Sequence, residues 1–361
     1  MESSRHDAQG TGASTPGRAR RASSAAPDTP VVSGRSAGSA RSGNASGHRR
    51  REIDHGHPGA EAPGGERRGQ RRGQRENPAA GQRGSGAGTR PLFTRSLRVL
   101  ERMVHADMRV SARVSDLETG APLLRVDDYV VSQIGSLGRI LLLIEAADRS
   151  ERGENTDILR EDSDFAEGPG IWQHLERSTL SLPDAAALLA GSGDHTAGNA
   201  LLREFGLDTI SARAESLRLR NTVLRDGVSR RADSGTRAAV SRSTMTELSE
   251  LIWHLERGEI VSPEVSARVL RWLGSGSYPG SVVGALGLDP GLRGGVRFGI
   301  GGYALASREL GLRAETGVVR GPSASVCFAL KVAFRENDAT SGFAVQQALR
   351  EIGLEILDFV S

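Results

Sequence analysis

Lysine is almost missing from this chain. Of its 47 cationic residues, one is a lysine, Lys331, and the rest are arginines. Any chemistry that needs a titratable amine as base is therefore confined to a single position. Cysteine is as scarce. Cys327 alone excludes an internal disulfide and fits a reducing compartment. It lies in an apolar run, where a small buried hydrophobe is the expected role. No stretch of 18 apolar residues occurs, so no membrane-spanning helix is expected. The opening MESSRHDAQG lacks the apolar centre of an export signal, and the expected location is cytoplasmic. The eight histidines are scattered, and no His-x-x-x-His pair with acidic partners follows the first 90 residues. Neither a metal nor another cofactor is called for.

What is present is unevenly distributed over the 361 residues. Residues 1–90 hold 16 Arg against 8 Asp and Glu, while residues 91–361 hold 31 cationic residues against 36 acidic ones. The excess of positive charge thus belongs to the first segment. That segment is rich in Gly, Ser, Ala and Arg and has very few large apolar residues, too few to offset its ordering entropy. It reads as a disordered basic tail. Arg49-Arg50-Arg51, Arg67-Arg68 and Arg71-Arg72 suit contact with an acidic partner or nucleic acid, or simple solvation. No aromatics interleave them, which argues against single-strand binding.

From Pro91 the patterning changes. Leu92, Leu97, Leu100 and Met103 predict a helix. Met108, Val110, Ala112 and Val114 then alternate with polar residues and predict a half-buried strand, with Pro122–Val126 as its hairpin partner. Ser136–Ala147 is apolar almost all round, which predicts a helix buried on every side. Residues 149–170 read as a surface loop, 182–217 as three short helices, and 218–242, with seven arginines, as a long loop. Leu248, Leu251, Ile252 and Leu255 mark another helix, and Ser262-Pro263 supplies the cap and first-turn proline of the next. Two strands, 313–320 and 325–334, precede a closing helix. A sheet assembled from both chain ends, with a helical insert over about 150–290, predicts one α/β (α+β) domain over 91–361. Its expected core is an antiparallel five-stranded sheet with helices on both faces.

That order resembles the class A β-lactamase and penicillin-binding serine hydrolases, and in particular a group of actinobacterial serine hydrolases. The resemblance covers about residues 105–360. It is carried by Asp116-Leu-Glu-Thr-Gly120, the Ser136 helix, Gly193-Asp-His-Thr-Ala-Gly-Asn-Ala-Leu-Leu202, Ser262–Leu270 and Val319-Arg-Gly-Pro322. It implies three motifs around one cleft. Ser-x-x-Lys falls on Ser136-Leu-Gly-Arg139, so the nucleophile position is kept and the lysine is lost. Ser-Asp-Asn falls on Gly193-Asp194-His195, where glycine has no proton to relay. Lys-Thr-Gly falls on Leu305-Ala306-Ser307, without the cation and hydroxyl that grip a carboxylate. Glu315-Thr316-Gly317 falls in the following strand by the same count. The family's loop glutamate has no counterpart between Leu217 and Thr246. The family pattern gives the oxyanion-binding N–H groups to Ser136 and Arg308.

Several roles stay open on the residues alone. Ser136 is either a nucleophile or a helix cap. Arg139 stays protonated and cannot be a general base, but it can bind an anion or neutralise a carboxylate. His195 either pairs with Ser136, with Asp194 orienting the ring, or faces solvent or caps a helix. Asp194 is alternatively a structural acceptor at a helix start. The resulting expectation is a serine hydrolase homologue, acting on a β-lactam or small amide with weak or lost activity, and the alternative is a pseudoenzyme used for binding or assembly.

Overall fold

The computed structural model describes residues 92–361 apart from 167, 228–239, 277–279, 288–298, 310 and 336–337. The tail predicted for residues 1–90 lies outside the described residues. Five antiparallel strands form the main sheet: β1 (Arg109–Asp116), β2 (Pro122–Val126), β3 (Gly301–Glu309), β4 (Leu312–Arg320) and β5 (Ser325–Ala333). Their order is β2-β1-β5-β4-β3, so the N-terminal hairpin joins the C-terminal strands through β1 and β5, with Val110 opposite Val332 and Val114 opposite Phe328. Strand β3 is an edge strand.

Helices α1 (Thr94–His105) and α8 (Ala339–Val360) cover one face. The apolar alternation of β5 dictates this: Val326, Phe328, Leu330 and Val332 enter the core beneath them. The other face of β5 is buried as well. Cys327 and Ala329 meet a larger core that contains α2 (Ile140–Glu151). Cys327 has no exposed surface, as its apolar setting predicts. Between α2 and β3 lie α3 (Leu182–Ser192), α4 (His195–Phe205), α5 (Leu207–Ser216), α6 (Met245–Glu256) and α7 (Pro263–Leu273). Ser262 caps α7 by accepting the Val265 N–H at 3.2 Å, and Ser181 caps α3 through the Asp184 N–H at 3.3 Å. Among the described residues no helix is long and apolar enough to cross a membrane.

Helix α2 is the central post. Residues 140–147 are all buried, and each of its leucines contributes roughly 1.5–3 kcal/mol by burial. Glu145 sits among them and would be costly alone. It accepts from Arg149 Nε at 2.9 Å and from both Nε and Nη2 of Arg213, on α5, at 2.9 and 2.8 Å.

Two segments differ from their sequence pattern. Residues 149–170 are not wholly loop: α2 runs to Glu151, and Asp157–Leu159 pairs antiparallel with Thr179–Ser181. Within 218–242, Val223–Leu224 and Ser241–Ser243 form short antiparallel strands, with Ser132–Gln133 as a third. Pairs this short carry too few side chains to show a period of two.

Candidate active site

The residues before α2 form a 3₁₀ turn, Gly135–Arg139, rather than the first turn of the helix. Ser241 fixes this turn. Its hydroxyl donates to the Gly135 carbonyl and accepts the Gly138 N–H at 3.1 Å. A side chain at Gly138 would collide with Ser241, which is why glycine stands there. Ser136 lies inside the turn and is half-buried. Neither the turn nor α2 takes a side-chain cap, so Ser136 is not a helix cap.

A cavity of about 330 Å³ opens over Ser136. It lies between the C-terminal end of α3, the start of α4 and the edge strand β3. Of the residues singled out from sequence, Ser136, Gly193, His195, Leu305, Ala306 and Arg308 line it. Arg139, Asp194 and Ser307 do not line it. The Leu305-Ala306-Ser307 triplet lies on β3, and Glu315-Thr316-Gly317 lies on β4, where Glu315 pairs with Ala306.

Arg139 is buried beneath the cavity. Its Nη2 donates to Asn199 Oδ1 at 2.8 Å, while its Nη1 has no hydrogen-bond partner among the described residues. Gly198 leaves the room the guanidinium occupies. Burial pushes its pKa down to about 10, against the nearby charges of Glu309 and Asp194. At neutral pH only about one molecule in a thousand would then be uncharged.

Asp194 caps α4. Its carboxylate accepts the Ala197 N–H at 2.9 Å, and the Ile171 and Trp172 N–H groups at 2.6 and 2.8 Å. With no exposed surface and three backbone donors, it is a structural acceptor tying α4 to the preceding loop. His195 is the first residue of α4. Its N–H donates to the Pro169 carbonyl at 3.0 Å, and its nearly buried ring lies against Gly168, where a side chain would collide with it.

Three residues escaped sequence reading, Glu309, Gly135 and Asn199, and so did the contact that Ser307 makes. The Ser307 hydroxyl accepts the Ser136 N–H at 3.0 Å. Glu309, two residues on along the same face of β3, accepts from that hydroxyl at 3.3 Å. Gly135, at φ 58°, passes so close to both that any side chain would overlap them. Asn199 is the third, since it holds Arg139. The signal available was the third residue of the Leu305-Ala306-Ser307 triplet, a serine where the resemblance implies a glycine.

The sequence model of the beta-lactamase enzyme family matches residues 94–360. No curated protein matches the chain in sequence. Among solved structures, the beta-lactamase from Sphaerobacter thermophilus DSM 20745 is similar, with a TM-score of 0.63 at 19% identity, covering 74% of this chain and 97% of that one. A beta lactamase from Burkholderia vietnamiensis gives 0.61 at 15% identity over 74% and 96%. PBP-A gives 0.59 at 17% identity over 74% and 98%. At such identities the structures establish the fold, while the family match spans most of the chain. The chain belongs to the beta-lactamase enzyme family.

Proposed function

We propose that this chain is a non-acylating member of its family, a pseudoenzyme that binds a small amide or anionic ligand in the cavity over Ser136 without cleaving it. The observation that carries this reading is Arg139. Activation of a serine needs a neighbour that can take its proton. Arg139 holds the position of the motif lysine, is buried and stays protonated, with one nitrogen held by Asn199. Gly193 offers no hydroxyl for the leaving group, and Leu305 offers no cation for a carboxylate. What remains is a recess with polar side chains at Ser136, Ser192, His195 and Arg308 among its lining residues. A β-lactam fits this class of ligand because the family binds such molecules.

A second reading keeps the activity. Ser136 and His195 line the same cavity, so a Ser–His pair could replace the lysine. One experiment separates the two. The full chain is incubated with a chromogenic cephalosporin, beside Ser136→Ala and His195→Ala. The pseudoenzyme reading predicts the same background rate for all three. Turnover that both substitutions abolish, with a pH profile set by one imidazole, would establish the hydrolase instead.

A further inference from the structure

Ser307 and Ser136 are 171 positions apart in sequence, yet their main-chain and side-chain atoms meet. The Ser307 hydroxyl accepts the Ser136 N–H at 3.0 Å and donates its own proton to Glu309 Oε1 at 3.3 Å. Both functions of the hydroxyl are thereby used. Ser307 is 1% exposed, so this is a packed arrangement and not a surface rotamer. Ser307 does not itself line the cavity, but its neighbours Ala306 and Arg308 on β3 and its partner Ser136 do, so the contact lies just behind the cavity lining.

Stabilising a carbonyl oxygen as it gains charge requires backbone N–H groups aimed at the place that oxygen will occupy. An N–H already bonded to a protein hydroxyl must first give up that bond. The Glu309 carboxylate orients that hydroxyl by accepting its O–H, so the oxygen lone pairs face the Ser136 N–H. We infer that Ser307 is a specificity-determining residue that takes the place of a ligand oxygen at the Ser136 N–H, with Glu309 as its positioning partner. The cavity consequently rejects ligands that must place a carbonyl, boronate or other oxyanion beside Ser136. It accepts ligands held through its remaining walls. This inference rests on the non-acylating reading of the site and names a device that Arg139 alone does not supply.

The probe is phenylboronic acid with the full chain. In the adduct the Ser136 Oγ bonds to boron, which becomes tetrahedral and negatively charged, and the hydroxyl proton passes to solvent. Binding is measured by calorimetry for wild type, Ser307→Gly, Ser307→Ala and Glu309→Gln, with circular dichroism and thermal unfolding as folding controls. Amide hydrogen exchange at Ser136 is read in parallel. The expected result is at least tenfold tighter binding to Ser307→Gly than to wild type, with Glu309→Gln between them. Exchange at Ser136 should accelerate at least tenfold in Ser307→Ala while that of Gly138, bonded to Ser241, holds. Folded Ser307 variants with wild-type exchange at Ser136, or with unchanged boronate affinity (undetectable in both included), would overturn the inference. Penicillin acylation of the wild type at Ser136 is a separate outcome. It would defeat the non-acylating reading, whereas equal boronate affinities defeat the role of Ser307 alone.

Discussion

Two arginines flank helix α2, and they are treated differently. Arg213 reaches from α5 to the middle of α2, where it meets the carboxylates of Glu145 and Asp148. Burial works against its charge, but the hydrogen bonds and charges of those two acids outweigh it and raise its pKa. Arg139 stands just before α2, at the end of the Gly135–Arg139 turn. Among the described residues it meets one neutral amide and keeps one nitrogen without a hydrogen bond, and burial pushes its pKa down against the charges of Glu309 and Asp194. The first is a cation that the fold has fully compensated. The second has anionic charge near it but no carboxylate in hydrogen-bond contact among the described residues. Polar groups left unsatisfied in a buried setting are costly, so they persist where a site, rather than the core, dictates the residue.

Breaking the compensated pair should have the largest effect. Arg213→Ala leaves Glu145 buried with only Arg149, and Asp148 with the more distant Arg152. A loss of about 3–5 kcal/mol is expected, read from the urea midpoint. A loss under about 1 kcal/mol would remove the contrast with Arg139.

Glu315 extends the comparison to a buried carboxyl with no cation in contact among the described residues. Burial pushes its carboxyl up to about 7, although the N–H groups of Val282, Val283 and Ser281 donate to it and hold the value down, as does the charge of Arg308. The folded value lies above the ordinary 4.5. Its contribution is therefore fully present below about pH 4.5 and is lost as the pH rises through 7. The loss amounts to at most about 3 kcal/mol. Unfolding midpoints should fall between pH 5 and 7.5 in the wild type and vary less in Glu315→Gln. Asp128 and Asp338, both held below their ordinary value, titrate outside this window. A wild-type profile that rises across the window would contradict the assignment.

Removing the less compensated cation should matter least. Arg139→Met takes away a poorly paired guanidinium and leaves the Asn199 oxygen without its donor, two effects that oppose each other. A change within about 1 kcal/mol of wild type is expected in the same urea assay. Arg139→Lys should stay folded and still give no penicillin adduct, because Ser307 continues to hold the Ser136 N–H.

Much of the fold was legible because its signals are local. The alternation of β1 and β5, the apolar Ser136–Ala147 run and the Ser262-Pro263 cap each declare an element within a few residues. The cleft positions followed from motif spacing, and six of the nine residues singled out line one cavity. What sequence did not reveal depends on distance through space. Whether Asp194 orients a histidine or caps a helix is settled by Ile171 and Trp172, more than 20 residues away. Whether the Ser136 N–H is open to a ligand is settled by a hydroxyl on the far side of the chain. A serine where the resemblance implies a glycine reads as a mild change until its strand is docked beside the turn.

The central claim is that Ser136 does not form an acyl-enzyme. Intact-protein mass spectrometry after incubation of the full chain with penicillin, at intervals from pH 6 to 10, tests it most directly. The account predicts the unmodified mass throughout, in wild type and Ser136→Ala alike. A penicilloyl adduct that accumulates to stoichiometry in the wild type and is absent from Ser136→Ala would contradict it.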